Sequence, residues 1–213
     1  MQPILILKTG QTLSSISSKF GDFEVWIMAG MDLPANFFQI VSVFQGEPLP
    51  SLENVSGIVI TGSPAMVTEK LDWIETSQRY LVRAVETGVP VLGICFGHQL
   101  MAQALGGKVG LNPAGREIGT TKITVSNEAG EDALFSGISG KFKVHTTHMQ
   151  SVMELPPGAT VLAGNNVDSH HALRFAENAW GIQFHPEFDE EIMTGYIRER
   201  YDEIISEGQD LMG

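Results

Sequence analysis

One cysteine occurs in the chain, and it stands in the heptapeptide Gly93-Ile94-Cys95-Phe96-Gly97-His98-Gln99. A thiol attacks as the thiolate, and a nucleophile held between the end of a buried strand and the start of a helix must occupy a tight, strained turn. Glycines two residues before and two after remove the side chains that would collide across such a turn. The helix that follows begins with a partial positive charge that favours the anion. Phe96, the next residue, offers its backbone N–H to an oxyanion formed at the attacked carbon. The pattern predicts that Cys95 is the nucleophile of an acyl-transfer reaction. The competing reading, a small buried hydrophobe, is the common fate of a lone thiol, but it gives no reason for the paired glycines.

A nucleophile of this kind needs a base. His185 ends the apolar run Trp180-Gly181-Ile182-Gln183-Phe184 and is followed by Pro186 and Glu187. A histidine at the C-terminal end of such a strand shares the sheet edge where Cys95 would stand, and the proline stops the ladder there. Glu187 is spaced to accept from the other imidazole nitrogen and hold the tautomer. The alternative, a loop histidine beside a solvated glutamate, loses force once Cys95 is set beside the pair. Of the remaining histidines, His98 lies too close in the turn to face the sulfur, and His170-His171 fall in a polar loop and are expected to stay solvated. One cysteine and scattered histidines match no metal-ligand spacing, so no metal and no cofactor are expected.

These side chains must be positioned by elements that the hydrophobic pattern lays out. Residues 3–7, 38–44, 57–60 and 89–94 read as buried strands, each stopped by a glycine- or proline-containing turn. Residues 70–86 repeat apolar positions at helical spacing and meet Gly88, a helix-stop residue. A second helix follows Cys95 and runs through residue 105. Strand, helix, strand, sharp turn and helix make the doubly wound α/β pattern. Residues 122–125, 142–144, 160–163, 172–175 and 179–184 read as short, mostly antiparallel additions. Residues 190–207 form an amphipathic final helix. The expected fold is an open mixed, mostly parallel sheet flanked by helices, with residues 1–213 as a single domain.

Composition narrows the function classes. The chain has 213 residues, a formal net charge of −12 and 43% hydrophobic residues, and its pI is near 4.8. That balance argues against a nucleic-acid partner, whose backbone selects clustered Lys and Arg. No run approaches the length needed to cross a bilayer, so no membrane role is expected. A lone cysteine and an opening segment without a signal-peptide pattern suit a cytoplasmic setting.

With residues 93–99, 181–187 and the turn Thr61-Gly62-Ser63-Pro64 in hand, the sequence resembles the class I (triad) glutamine amidotransferases, whose fold is flavodoxin-like. Arg116-Glu117-Ile118-Gly119 is similar to the branch containing the amidotransferase domain of GMP synthase. The resemblance implies Cys95 as nucleophile, His185 as base and acid, and Glu187 as its orienter. It adds Ser63 as second oxyanion N–H beside Phe96, and Gly62, Gln99, Met149 and Gln150 as substrate-binding positions. The reaction implied is hydrolysis of the L-glutamine side-chain amide. GMP synthases usually carry a glycine and an acidic residue where Met149 and Gln150 stand, which leaves open another γ-glutamyl compound as substrate; Met149 reads equally well as a core-filling side chain. With no P-loop-like ATP site in the chain, ammonia is expected to pass to a separate synthetase subunit, unless the protein is a γ-glutamyl peptidase or amidase in its own right. A non-catalytic regulatory module of the same fold would show a broken triad, and all three residues are present. For residues 21–26, packing of Phe23 and Trp26 into the core is expected rather than a partner surface.

Overall fold

The computed structural model describes residues 2–208. In chain order the strands are β1 (Ile4–Lys8), β2 (Phe38–Ser42), β3 (Gly57–Ile60), β4 (Val91–Ile94), β5 (Lys108–Leu111), β6 (Glu117–Val125), β7 (Lys141–His148), β8 (Gln150–Glu154), β9 (Thr160–Gly164), β10 (Ala172–Ala176) and β11 (Ala179–Ile182). The helices are α1 (Ser14–Phe20), α2 (Phe23–Met31), α3 (Asp72–Glu86), α4 (Phe96–Ala104), α5 (Glu190–Glu199) and α6 (Tyr201–Ser206).

Runs without polar alternation need cover on both faces, and Leu5, Ile6, Leu7 and Ile60 are fully buried. Nine strands form one mixed sheet in the order β2-β1-β3-β4-β11-β10-β9-β6-β7. The first five run parallel, and the remaining four attach antiparallel. This is the flavodoxin-like arrangement with the expected antiparallel additions. β5 and β8 pair apart from it as an antiparallel ribbon. Because β1, β3, β4 and β11 are parallel, their C-terminal ends share one edge, and the segments that follow them meet there.

α3 buries Ile74, Ser77, Leu81 and Ala84 on one stripe, against a core that also holds Leu5, Leu7, Ile58, Val91, Phe96 and Leu100. A second core contains Ile6, Ile94, Ile123, Leu162 and Ile182. A third joins the start and end of the chain: Ile16, Phe23 and Trp26 pack with Phe188, Ile192, Met193 and Tyr196. Phe23 and Trp26 are thus core residues, as expected. Asp22 caps α2 by accepting from the Phe23 N–H, and it pairs with the buried Lys8 at 2.8 Å.

Several boundaries differ from the sequence reading for local reasons. β2 stops at Ser42, and Val43–Gln45 turn as a short 3-10 segment ending at Gly46 with φ +82°. α3 starts two residues late because Lys70 adopts a left-handed φ of +53°. The expected final helix breaks at Arg200, whose φ/ψ of −102°/13° separates α5 from α6. Among the described residues, no helix is long and apolar enough to cross a membrane.

Candidate functional site

Cys95 follows β4 directly and precedes α4, and its backbone has φ +52° and ψ −102°. A side-chain-bearing residue held there stores strain that only a surrounding lock can maintain. Part of that lock is the Cys95 N–H, which donates to the Ile182 carbonyl at 2.8 Å. The paired glycines supply the rest. A Cβ on Gly93 would lie 2.4 Å from the Gly97 carbonyl carbon and oxygen, and one on Gly97 would lie 2.7 Å from the Ile60 carbonyl oxygen. Strand and helix therefore touch backbone to backbone around the thiol. Phe96 opens α4, so its N–H has no acceptor within the helix.

His185 lies beyond the end of β11, on the same edge, its own N–H donating to the His145 carbonyl at 2.8 Å. Nδ1 is 2.8 Å from Glu187 Oε1. A carboxylate only accepts, so Nδ1 donates. Nε2 is buried with no hydrogen-bond partner among the described residues, and Cys95 is a neighbour that favours the imidazolium. The ring stacks on Phe188 at a centroid distance of 4.0 Å, and Phe23 lies near both, 6.3 Å from the imidazole and 6.5 Å from Phe188. Burial alone would depress the imidazolium. The charges of Glu187 and Cys95 outweigh it and hold His185 up at about 10.

Two cavities meet at the thiol. One, of about 150 Å³, is lined by Ser63, Phe96, Gln99, Met149, Gln150 and Arg200 among others. The second, of about 50 Å³, is lined by Thr12, Phe23, Ser63, His185, Tyr196 and Arg200 among others. Cys95 borders both, and its Sγ is 3.8 Å from the Thr147 carbonyl oxygen. Ser63 is held in the wall by its Oγ, which donates to the Thr9 carbonyl at 2.8 Å.

Three sequence-derived positions take on different work. Gln99 spends its amide N–H groups on the Gln150 carbonyl at 2.7 Å and Gln183 Oε1 at 3.0 Å, so it braces the wall as well as bordering the cavity. Gly62 is absent from both linings; a Cβ there would lie 3.2 Å from His185 Cε1, which makes it the close backing of the imidazole. Gln150 Nε2 bonds Thr68 Oγ1 at 2.7 Å.

His171 corrects the solvated-loop expectation: it is fully buried, with Nε2 2.9 Å from Glu117 Oε2. His148 Nε2 is 3.1 Å from the same oxygen, and its Nδ1 is 3.0 Å from the Gln150 carbonyl. The register that sets Glu117 of β6 opposite His148 of β7 builds this unit, and His171 enters from the start of β10. Burial would raise the Glu117 carboxyl, but hydrogen bonds from His148 and His171 drive it far below the usual range. The three ligand atoms lie within 4.8 Å of one another and form the one group able to chelate a metal among the described residues. Their mutual hydrogen bonds already account for the arrangement. His170 Nδ1 is 2.6 Å from the Val152 carbonyl. His98 turns away from the sulfur into the core beside Phe175, 5.8 Å between centroids, and burial pulls it down to about 3.

Residues 34–202 match the family described as Glutamine amidotransferase class-I. The chain belongs to the class I glutamine amidotransferases. Among similar members, a subunit of the glutamine-hydrolysing GMP synthase from Pyrococcus abyssi is 38% identical over 135 residues, covering 63% of this chain and 67% of that one. The GMP synthase of Aeropyrum pernix is 35% identical over 161 residues, 76% of this chain but 28% of the longer protein. This amidotransferase chain therefore spans about a quarter of that synthase's length. Gamma-glutamyl peptidase 3 of Arabidopsis thaliana is 31% identical over 145 residues, 67% of this chain and 58% of the peptidase. In structure, a glutamine amidotransferase from Methylobacillus flagellatus superposes with TM-score 0.79 at 25% identity, covering 95% of this chain and 77% of that one.

Residues of this amidotransferase site that the sequence reading missed come from the C-terminal segment. Tyr196 and Arg200 border the cavities at the thiol because α5 packs on α1 and α2, and the Tyr196 hydroxyl meets Thr12 Oγ1 at 2.6 Å. An amphipathic pattern reports which face of a helix is buried, not which cavity it overlooks.

Proposed function

We propose that the protein hydrolyses the γ-amide of γ-glutamyl compounds, L-glutamine the simplest of them, through a thioester on Cys95. The observation that carries this is a strained, buried Cys95 sharing one cavity with a His185 whose Nδ1 is fixed by Glu187 at 2.8 Å. The Cys95 thiolate attacks the amide carbon and forms the C–S bond, while the carbonyl π electrons move to oxygen. The N–H groups of Phe96 and Ser63 stabilise that oxyanion. As the oxyanion re-forms its carbonyl, the C–N bond breaks and His185 Nε2–H protonates the departing nitrogen. Water then gives a proton to Nε2 and attacks the thioester, releasing glutamate and regenerating the thiolate.

The protonation of His185 suits this order of events. A raised imidazolium beside the thiol carries the proton needed by the leaving group before substrate arrives. With glutamine as substrate the product is ammonia, and a separate synthetase subunit would consume it, in keeping with the similarity to the Pyrococcus abyssi GMP synthase subunit. A second reading, a peptidase releasing an amino acid or peptide in place of ammonia, is favoured by the similarity to gamma-glutamyl peptidase 3 and by the second cavity on the His185 side.

The test is glutamate release from L-glutamine and from a γ-glutamyl dipeptide by the purified protein and by Cys95→Ala. Release from either substrate, abolished by the substitution, is the expected result. Release that survives Cys95→Ala contradicts the mechanism.

A further inference from the structure

During thioester formation His185 gives its proton to the leaving nitrogen, so the leaving group must face His185. The space on that side is the smaller cavity, walled by Gln11, Thr12, Phe23, Tyr196 and Arg200. The glutamyl half then occupies the larger cavity, on the side of Gln99, Met149 and Gln150. Ammonia needs no walled cavity to leave by.

Arg200 borders both spaces. Its Nη1 bonds Glu203 Oε2 at 3.0 Å, while its Nε is buried with no hydrogen-bond partner among the described residues. An unpaired guanidinium N–H away from water costs free energy until an acceptor arrives. Arg116, which borders the larger cavity, is engaged by Glu203 and by Glu207. The break between α5 and α6 falls at Arg200 itself. In a chain of net charge −12, a guanidinium lining the leaving-group cavity suits an anionic ligand group.

We propose that Arg200 recognises the carboxylate of an amino-acid leaving group, making γ-glutamyl amino acids and short γ-glutamyl peptides the preferred substrate class. This rests on the thioester reading and specifies which amide it serves. The cavity of about 50 Å³ favours a small residue such as glycine next to the scissile bond. Arg200 acts here as a specificity residue: it binds the departing half and takes no proton.

The test compares kcat/KM for γ-glutamylglycine, γ-glutamylglycinamide and L-glutamine in the wild type, Arg200→Met and Arg200→Lys. A charge-assisted pair predicts that the wild type prefers the free acid over its amide by about 10- to 100-fold, expressed mainly in KM. Arg200→Met brings that ratio near one, and Arg200→Lys, which keeps charge but not the planar fork, leaves it in between. A wild type that does not distinguish acid from amide overturns the proposal without reference to any variant's folding. So does a ratio unchanged in Arg200→Met. Turnover of glutamine with none of γ-glutamylglycine overturns it while sparing the thioester mechanism; glutamate released from none of the three overturns both.

Discussion

The tightest packing in the site is backbone against backbone, and Gly93→Ala tests it. The added Cβ would meet the Gly97 carbonyl at 2.4 Å, about 1 Å short of ordinary contact, and neither partner is a flexible side-chain end. β4 and the first turn of α4 must separate, carrying Cys95 with them. Overpacking of this kind costs about 1–3 kcal/mol. For a chain of this size that lowers Tm by about 2–12 °C. The kinetic effect is larger in proportion, because a displacement of about 1 Å at a reacting group costs on the order of 100-fold in rate. Gly30→Ala is the control: Gly30 lies in α2 with nothing within 4 Å of an added methyl and no positive φ, so its variant gains about 0.5–1 kcal/mol from helix propensity. Thermal melts and glutamate release from a γ-glutamyl substrate are read side by side. A Gly93→Ala protein that melts and turns over like wild type refutes this explanation of the elbow.

Other outcomes follow from the same geometry. Glu187→Gln removes the acceptor that fixes Nδ1–H and is expected to lower kcat by about 100-fold or more, the scale of general acid–base catalysis, with the fold intact by circular dichroism. His185 is raised from 6.5 to about 10 in the folded state, so its contribution to stability is complete below pH 6.5 and is lost as pH rises through about 10; urea titrations across that window show a decline that Cys95→Ala makes shallower. Glu117 is depressed, so its contribution is present above about pH 4.5 and falls away as pH drops. Glu117→Gln breaks a buried pairing with His148 and His171, is expected to cost about 3 kcal/mol, and removes most of that acid sensitivity.

Spacing alone revealed the elbow because its cause is local: two glycines four residues apart relieve a collision between adjacent elements, and a histidine just past its strand, two residues before a glutamate, forms its own hydrogen bond. Apolar runs located β1, β3 and β4 for the same reason, as buried parallel strands leave no polar side to disguise them. The unit of Glu117, His148 and His171 was not legible, because it depends on the pairing of β6 with β7 and on the arrival of β10. A polar loop composition around residues 165–171 suggested solvation, yet Asn165 and Asp168 organise a turn that buries His171: the Asn165 side chain accepts from the Val167 and Asp168 N–H groups at 2.8 Å. α1, serine-rich in Ser14-Ser15-Ile16-Ser17-Ser18, has weak intrinsic helix preference and is held by the packing of Ile16 in the third core. The break at Arg200 has neither glycine nor proline to announce it, and it falls at a residue that borders both cavities.

The central claim is a covalent glutamyl bond to Cys95. It is tested most directly by acid-quenching the protein during turnover of L-glutamine and a γ-glutamyl dipeptide, then mapping peptides by mass spectrometry. A glutamyl adduct is expected on the peptide carrying Cys95, labile to hydroxylamine and absent from Cys95→Ala. Steady glutamate release with no adduct at Cys95, or with equal release from the variant, would contradict it.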